Sequence, residues 1–458
     1  MTASPAAHLS IEATIQIDPT FPYYLDRSSE SIASELLLAG YRNVRYFVTD
    51  ETRVNGELIR ALRRHGMQVW AMVLGNGAYS TGHLPPDWPR WQMTLLKKTD
   101  DGYFRFSPHS TAYLRWKKSS IARLLQEHPF SGLEVAEPYL PEWNGLTSGV
   151  YGDVGPMAQA AFKAFSGSEM PDFTHRTSPR YYKKDRARYL LWVDFRVRAV
   201  NGFLHELING PGGARSVRPD IRIATWSIAV DAGRDPVGAN REVQGIDAAE
   251  MIRLIRPDLH ILQTHWPDWM RAGLPADYVR RYAPFVRHIR ASHPGVPLGV
   301  QTDIGSLAPM RRSRAWLDTF ARTAREEGYR MWTAYEYSIG LSMYTEPPRA
   351  LRARRTDRRT VLVEFDKRID EASAAAVSSY RCLEGGQLRD VSPLKAVPDG
   401  SRVILMTAAW PDGSFELELS GIRDTPERWL VPGQQHNEIA PGSRVRVPAA
   451  KPEEGSVP

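Results

Sequence analysis

Eight short apolar stretches, each followed by a helical or looped segment, run from the start of the chain to Tyr337. They are Ile11–Ile17, Asn43–Thr49, Gln68–Leu74, Gly132–Pro138, Ile221–Ser227, Leu259–His265, Pro297–Asp303 and Arg330–Tyr337. Eight β-then-α units in succession predict a closed (β/α)8 TIM barrel, an α/β fold whose reactive groups sit at the C-terminal rim of the strands. Helical spacing at Ser31–Leu38, Gly56–Arg64 and Ser313–Glu327 supports this reading. Each of these helices is followed by a glycine, Gly40, Gly66 or Gly328, where a chain leaving a helix needs a left-handed residue. Further helices are expected at Thr111–Glu127, Tyr181–Leu207, Ala248–Ile255 and Asp277–Ser292. Two connections are long, Gly75 to Ser110 and Tyr139 to Tyr181. Both follow strands, so both are expected to wall a cleft at the rim.

A chain of 458 residues exceeds one ordinary domain. The barrel is expected over residues 1–345. Residues 346–360, with six arginines between Arg349 and Arg359, read as a basic linker. Short alternating strands separated by turn residues then predict a small all-β sandwich over 361–448, and 449–458 reads as a disordered tail. The net charge of +7 is largely local to the arginine run, and no nucleic-acid-binding module is visible. A single cysteine, Cys382, excludes an intrachain disulfide and a cysteine-based zinc site. No run approaches the ~20 apolar residues of a membrane span, and Met1–Ser10 has no signal-peptide pattern. The expected location is therefore cytoplasmic, or secreted if a leader is missing. Oligomeric state is open.

Side chains alternate faces along a strand, so the inward phase is readable. It places Glu12, Thr14, Gln16 and Asp18 inward on the first strand and Glu134 on the fourth, with Glu137 at its tip. Gln263 and His265 follow on the sixth strand, Gln301 and Asp303 on the seventh, and Trp332, Ala334 and Glu336 on the eighth. Acids and amides in one phase point to a polar substrate and a tuned pair of carboxylates. Such a pair supplies a general acid and a nucleophile or base for glycosidic cleavage. The candidate catalytic residues are Glu137 with Asp303, then Glu134 and Glu336. The competing structural reading pairs Glu134 and Glu336 with barrel arginines such as Arg45 or Arg222. Candidate substrate-binding residues are Asp18, Arg45, Gln263, His265 and Gln301, with Trp143, Trp226, Trp266 and Trp332 as stacking surfaces. Other loop aromatics, Trp88, Trp91, Tyr139, Tyr151 and Trp269, fit the same chemistry, because pyranose rings stack on indoles. No HxH on the first strand and no HExxH motif is present, so no metal or cofactor is expected.

The segment Gly132-Leu133-Glu134-Val135-Ala136-Glu137-Pro138-Tyr139 resembles the fourth-strand motif of TIM-barrel glycoside hydrolases, including relatives of the barrel β-galactosidases. Ala160–Phe165, Pro171-Asp172, Trp192-Val193-Asp194-Phe195-Arg196 and Arg218-Pro219-Asp220 resemble the segments that follow in those proteins. The chain departs from the large retaining clan in having no Asn-Glu pair at strand four and Asp303 where a glutamate is usual at strand seven. Val361–Lys367 and Gly421–Pro426 resemble bacterial Ig-like domains. The resemblance implies hydrolysis of an oligo- or polysaccharide. The alternatives are a non-catalytic carbohydrate-binding barrel and a sugar isomerase or lyase.

Overall fold

A computed structural model describes residues 12–141, 144–231, 233–265, 268, 270–302, 307–334, 336–337, 340–431 and 435–450. Eight parallel strands close a barrel: β1 Glu12–Ile17, β2 Asn43–Val48, β3 Gln68–Leu74, β4 Gly132–Ala136, β5 Arg222–Ala229, β6 Leu259–Thr264, β7 Leu298–Thr302 and β8 Met331–Ala334. Each strand pairs with its sequence neighbours, and β8 pairs with β1 to complete the ring. The helices α1 Ser29–Leu38, α2 Gly56–Arg64, α3 Thr111–Glu127, α4 Arg186–Ile208, α5 Ala248–Ile255, α6 Ala283–Ser292, α7 Arg314–Glu326 and α8 Leu341–Thr345 follow the strands in turn. Their starts are written in the sequence. The side chains of Ser28, Asn55, Ser110, Asp185, Asp247 and Ser313 each accept a hydrogen bond from a backbone N–H in the first turn of the helix they precede. Gly40, Gly66 and Gly328 have positive φ after α1, α2 and α7, as their placement predicts.

Two apolar layers result. Ile15, Val44, Val69, Leu133, Ile223, Leu262 and Val300 point outward and pack under the helices. Trp70, Met72, Ala224, Trp226, Ile261 and Met331 fill the barrel itself. Gly132 opens β4 because a Cβ there would lie 2.2 Å from the Trp70 ring. Register corrects the inward phase expected for the eighth strand. Trp332 pairs with Ala13 on β1 and Val300 on β7, faces outward, and its ring lies 5.9 Å from Phe320 of α7. Thr333 holds the inward position beside Thr14. The strand ends at Ala334, so alternation cannot be counted back from Glu336.

The long β4–α4 crossover has its own small core of Tyr151, Phe162, Tyr189, Trp192 and Phe195. The Trp192–Arg196 motif ties it down. Trp192 Nε1 donates to the Tyr151 hydroxyl at 2.9 Å, and buried Arg196 donates to the carbonyls of Gly152 and Val243 at 2.7 and 2.8 Å.

After the barrel, two four-stranded antiparallel sheets form a β-sandwich. One runs β9 Ala350–Arg355, β10 Thr360–Phe365, β14 Arg402–Met406, β13 Lys395–Asp399. The other runs β12 Gln387–Arg389, β11 Tyr380–Glu384, β15 Phe415–Leu419, β16 Ser443–Val447. The arginine-rich stretch expected as a linker supplies the edge strand β9. Ala353 enters the sandwich core, while Arg352 and Arg354 both reach the buried Glu364 on β10. The expected tail lies outside the described residues beyond Ala450.

Candidate active site at the barrel mouth

Glu137 sits one residue past β4, with φ of 53°. Left-handed backbone is rare and costly for a residue with a Cβ, of order 1–3 kcal/mol, and persists only where the surroundings enforce it. Those surroundings are visible. Gly75 N donates to Ala136 O at 2.6 Å, and a Cβ on Gly75 would lie 2.9 Å from Pro138 Cα. Asn76 then clamps the next residue from both sides: its Nδ2 donates to Tyr139 O at 3.0 Å and its Oδ1 accepts from Tyr139 N at 3.1 Å. The tips of β3 and β4 therefore lock together, and the locked turn aims Glu137. The Tyr103 hydroxyl donates to Glu137 Oε2 at 2.6 Å. Burial raises the carboxyl above the usual range, while the Tyr103 hydrogen bond and nearby Arg105 work in the opposite direction. Tyr103 packs 4.9 Å from exposed Tyr79.

Next around the ring, Trp226 of β5 stacks on Tyr139 with centroids 5.9 Å apart and planes 16° apart. Its indole N–H has no hydrogen-bond partner among the described residues, and neither have Gln263 Oε1 and Gln301 Oε1. Gln263 and Gln301 are register partners on β6 and β7, and Gln301 Nε2 donates to Gln16 Oε1 at 2.9 Å. His265 is buried just past β6, and burial lowers it to about 4, so its ring is neutral at pH 7.

Strand β8 stands opposite β4 in the ring. Past its end Glu336 is buried. Its Oε2 accepts from Asp18 N at 2.7 Å and its Oε1 accepts from the Tyr24 hydroxyl. The Asp18 carboxylate accepts from Thr20 N at 3.0 Å and Thr20 Oγ1 at 2.6 Å. Burial raises its pKa against those bonds.

Glu134 and Arg45 lie elsewhere. They form an ion pair at 3.1 Å inside the barrel, with side chains 0% and 2% exposed. On β4, three residues before Glu137, Glu134 holds the guanidinium and leaves the set that faces the mouth, and Arg45 leaves with it. Trp332 leaves it too, since it faces the helices. Trp88 packs on Phe106 within the β3–α3 crossover, and Trp91 and Tyr151 pack the long crossovers onto α3 and α4. Asp303, Trp143, Trp266 and Trp269 lie outside the described residues. Sequence reasoning missed Tyr103, Asn76 and Tyr24. The two from the Gly75–Ser110 crossover fall in a segment whose length and composition mark it as a cleft wall. Among the described residues no cluster of three or more His, Cys, Asp or Glu has metal-site geometry. No described helix is long and apolar enough to cross a membrane.

The barrel is similar in fold to solved TIM-barrel structures, some of them of glycoside hydrolases. The glycoside hydrolase domain of PgaB (BpsB) from Bordetella bronchiseptica superposes with a TM-score of 0.53 at 16% identity, over 71% of this chain and 94% of that one. A GH42 β-galactosidase from G. stearothermophilus gives 0.46 at 16% identity, over 72% of this chain and 52% of that one, so this chain spans about half its length. The endo-β-1,4-mannanase of Thermotoga petrophila gives 0.39 at 9% identity, over 97% and 98%. No protein-family model and no curated protein matches the chain.

Proposed function

We propose that the chain is a glycoside hydrolase that cleaves an oligo- or polysaccharide by carboxylate acid–base chemistry at the barrel mouth. The observation that carries this reading is Glu137, a carboxyl on strained backbone at a strand tip, raised by burial and held by Tyr103. A carboxyl whose pKa is raised by burial is suited to donate a proton to the leaving glycosidic oxygen. In this reading Glu137 is the general acid, and Asp303 past β7 is the second carboxylate. It attacks the anomeric carbon or takes a proton from the attacking water. Glu336 is the alternative for that role, supported by its place across the mouth. The polar atoms of Trp226, Gln263 and Gln301 suit sugar hydroxyls, and the Tyr79–Tyr103 pair offers an aromatic face for a pyranose ring.

The test is incubation of the purified chain with a panel of neutral, amino and acidic polysaccharides, with products read by mass spectrometry. Cleavage of at least one glycan is expected. Glu137→Gln and Asp303→Asn are each expected to lower kcat by about 10²–10⁴-fold. A glycan bound with unchanged affinity by both variants, and cleaved by none of the three proteins, would replace this reading with that of a binding barrel.

A further inference from the structure

The loop from Asp18 to Ser28 carries two adjacent tyrosines that point to different parts of the molecule. Tyr24 donates to Glu336 at the mouth. The Tyr23 hydroxyl donates to Glu35 of α1 at 2.5 Å and accepts from the backbone N–H of Arg368, a residue of the sandwich, at 2.9 Å. Glu336 and Tyr337 repeat the arrangement: Glu336 faces the mouth, and the Tyr337 hydroxyl donates to Asp366 O of the sandwich at 3.2 Å. The rings of Tyr23 and Tyr337 lie 6.4 Å apart, so both pairs meet at one seam.

Arg368 is the center of that seam and is 2% exposed. Its Nη1 donates to the carbonyls of Tyr23 at 2.9 Å, Leu25 at 2.6 Å and Pro22 at 3.2 Å. A buried guanidinium that donates to three carbonyls of one loop fixes the path of that loop, adding to the single Leu25 N to Pro22 O bond of its own 3-10 turn. Flanking contacts stitch the same segment. Arg428 pairs with Asp26 at 2.7 Å, and Asp399 accepts from Ser28 N at 2.8 Å. Tyr23 and Tyr24 are consecutive, with rings 5.4 Å apart, so displacement of one carries the other.

We propose that the C-terminal sandwich is part of the active unit, with Arg368 as a positioning residue that sets the Glu336 carboxylate through the Tyr23–Tyr24 loop. The link is a statement about geometry. Its effect on turnover rests on the glycosidase reading above, so the deciding measurements do not use turnover. In the full chain, Arg368→Lys keeps the charge but loses the guanidinium nitrogen that reaches three carbonyls. Hydrogen exchange is expected to quicken about tenfold in peptides covering residues 18–28, with peptides from β3 and β4 unchanged. The titration of Glu336 would be followed by 13C-carboxylate NMR, with its signal assigned by loss in Glu336→Gln. Tyr24→Phe removes a donor to the ionized form, so the Glu336 midpoint is expected to rise by about half a unit or more. Arg368→Lys is expected to move it in the same direction by a smaller amount. A merely structural arginine would lower the melting temperature without moving that midpoint. An unmoved Glu336 midpoint in Arg368→Lys, beside a moved one in Tyr24→Phe, would overturn the proposal. If Arg368→Lys does not fold, Tyr23→Phe carries the same test with the same two outcomes. Turnover measured afterwards judges the glycosidase reading alone.

Discussion

The Tyr103 hydroxyl reaches Glu137 Oε2 across a 2.6 Å hydrogen bond that joins the two walls of the mouth, the β3–α3 crossover and the tip of β4. The phenol's own pKa is driven well above 10 by burial and by the neighboring carboxylate, so it remains a donor at every working pH. It stabilizes the ionized form of Glu137 and thereby limits the rise that burial imposes. Tyr103→Phe removes that limit. If Glu137 is the proton donor, the alkaline limb of the kcat/KM profile moves to higher pH by about half a unit to one unit. The pH dependence of cleavage in the two proteins checks the direction. A limb moving to lower pH would contradict the donor role.

The backbone at Glu137 sets stability against function. A left-handed residue other than glycine costs of order 1 kcal/mol or more, and a carboxyl raised by burial is destabilizing once ionized. The sign follows from the raised value: this contribution favors the folded state below the unfolded pKa and is lost as pH climbs through the folded one. Glu137→Asn places a residue that tolerates this conformation. It is expected to stabilize the chain by about 1 kcal/mol at pH 7 while abolishing cleavage. Urea melts at pH 7 check the first half and product assays the second.

The barrel is legible because its period is local: the strands are short and apolar, six of its eight helices start at a capping side chain, and Gly40, Gly66 and Gly328 end helices where left-handed backbone is needed. What fails is whatever depends on where a strand stops or which partner arrives from far away. Trp332 reads as inward from the sequence, but β8 ends at Ala334 and its pairing with β1 and β7 turns Trp332 toward the helices. The run from Arg349 to Arg359 reads as a linker because its charge hides an edge strand. Only the neighbor Glu364 makes sense of Arg352 and Arg354 there. The Tyr103–Glu137 bond and the Asn76 clamp join residues far apart in the sequence, and no pattern within either segment announces them.

Arg45 and Glu134 test the separation between core and mouth. Removing one charge of a buried pair strands the other, so Glu134→Gln is expected to cost about 3–5 kcal/mol. Replacing both, as Arg45→Met with Glu134→Leu, is expected to return stability to that of the parent or above it. Because the pair lies beneath the mouth, turnover per folded molecule in the double variant should stay within a few-fold of the parent. A stable, fully folded double variant without turnover would return Glu134 to the catalytic set.

Glu51, just past β2, gives the acid limb of stability. Lys117 of α3 and His83 of the β3–α3 crossover both contact its carboxylate, Lys117 closely and His83 at 3.3 Å. Burial alone would raise this carboxyl, but Lys117 and His83 outweigh it and hold it at about 2. A depressed carboxylate contributes its stability above the unfolded value near 4.5 and loses it as pH falls toward 2. A difference of that size corresponds to about 3 kcal/mol at pH 7. Glu51→Gln should therefore be destabilized by about that amount at neutral pH, with the gap to the parent closing as the solution is acidified from pH 5 to pH 2. Denaturant midpoints measured at several pH values check the convergence. A gap that stays constant across that range would mean that packing around Lys117, and not the charge on Glu51, ties the crossover to α3.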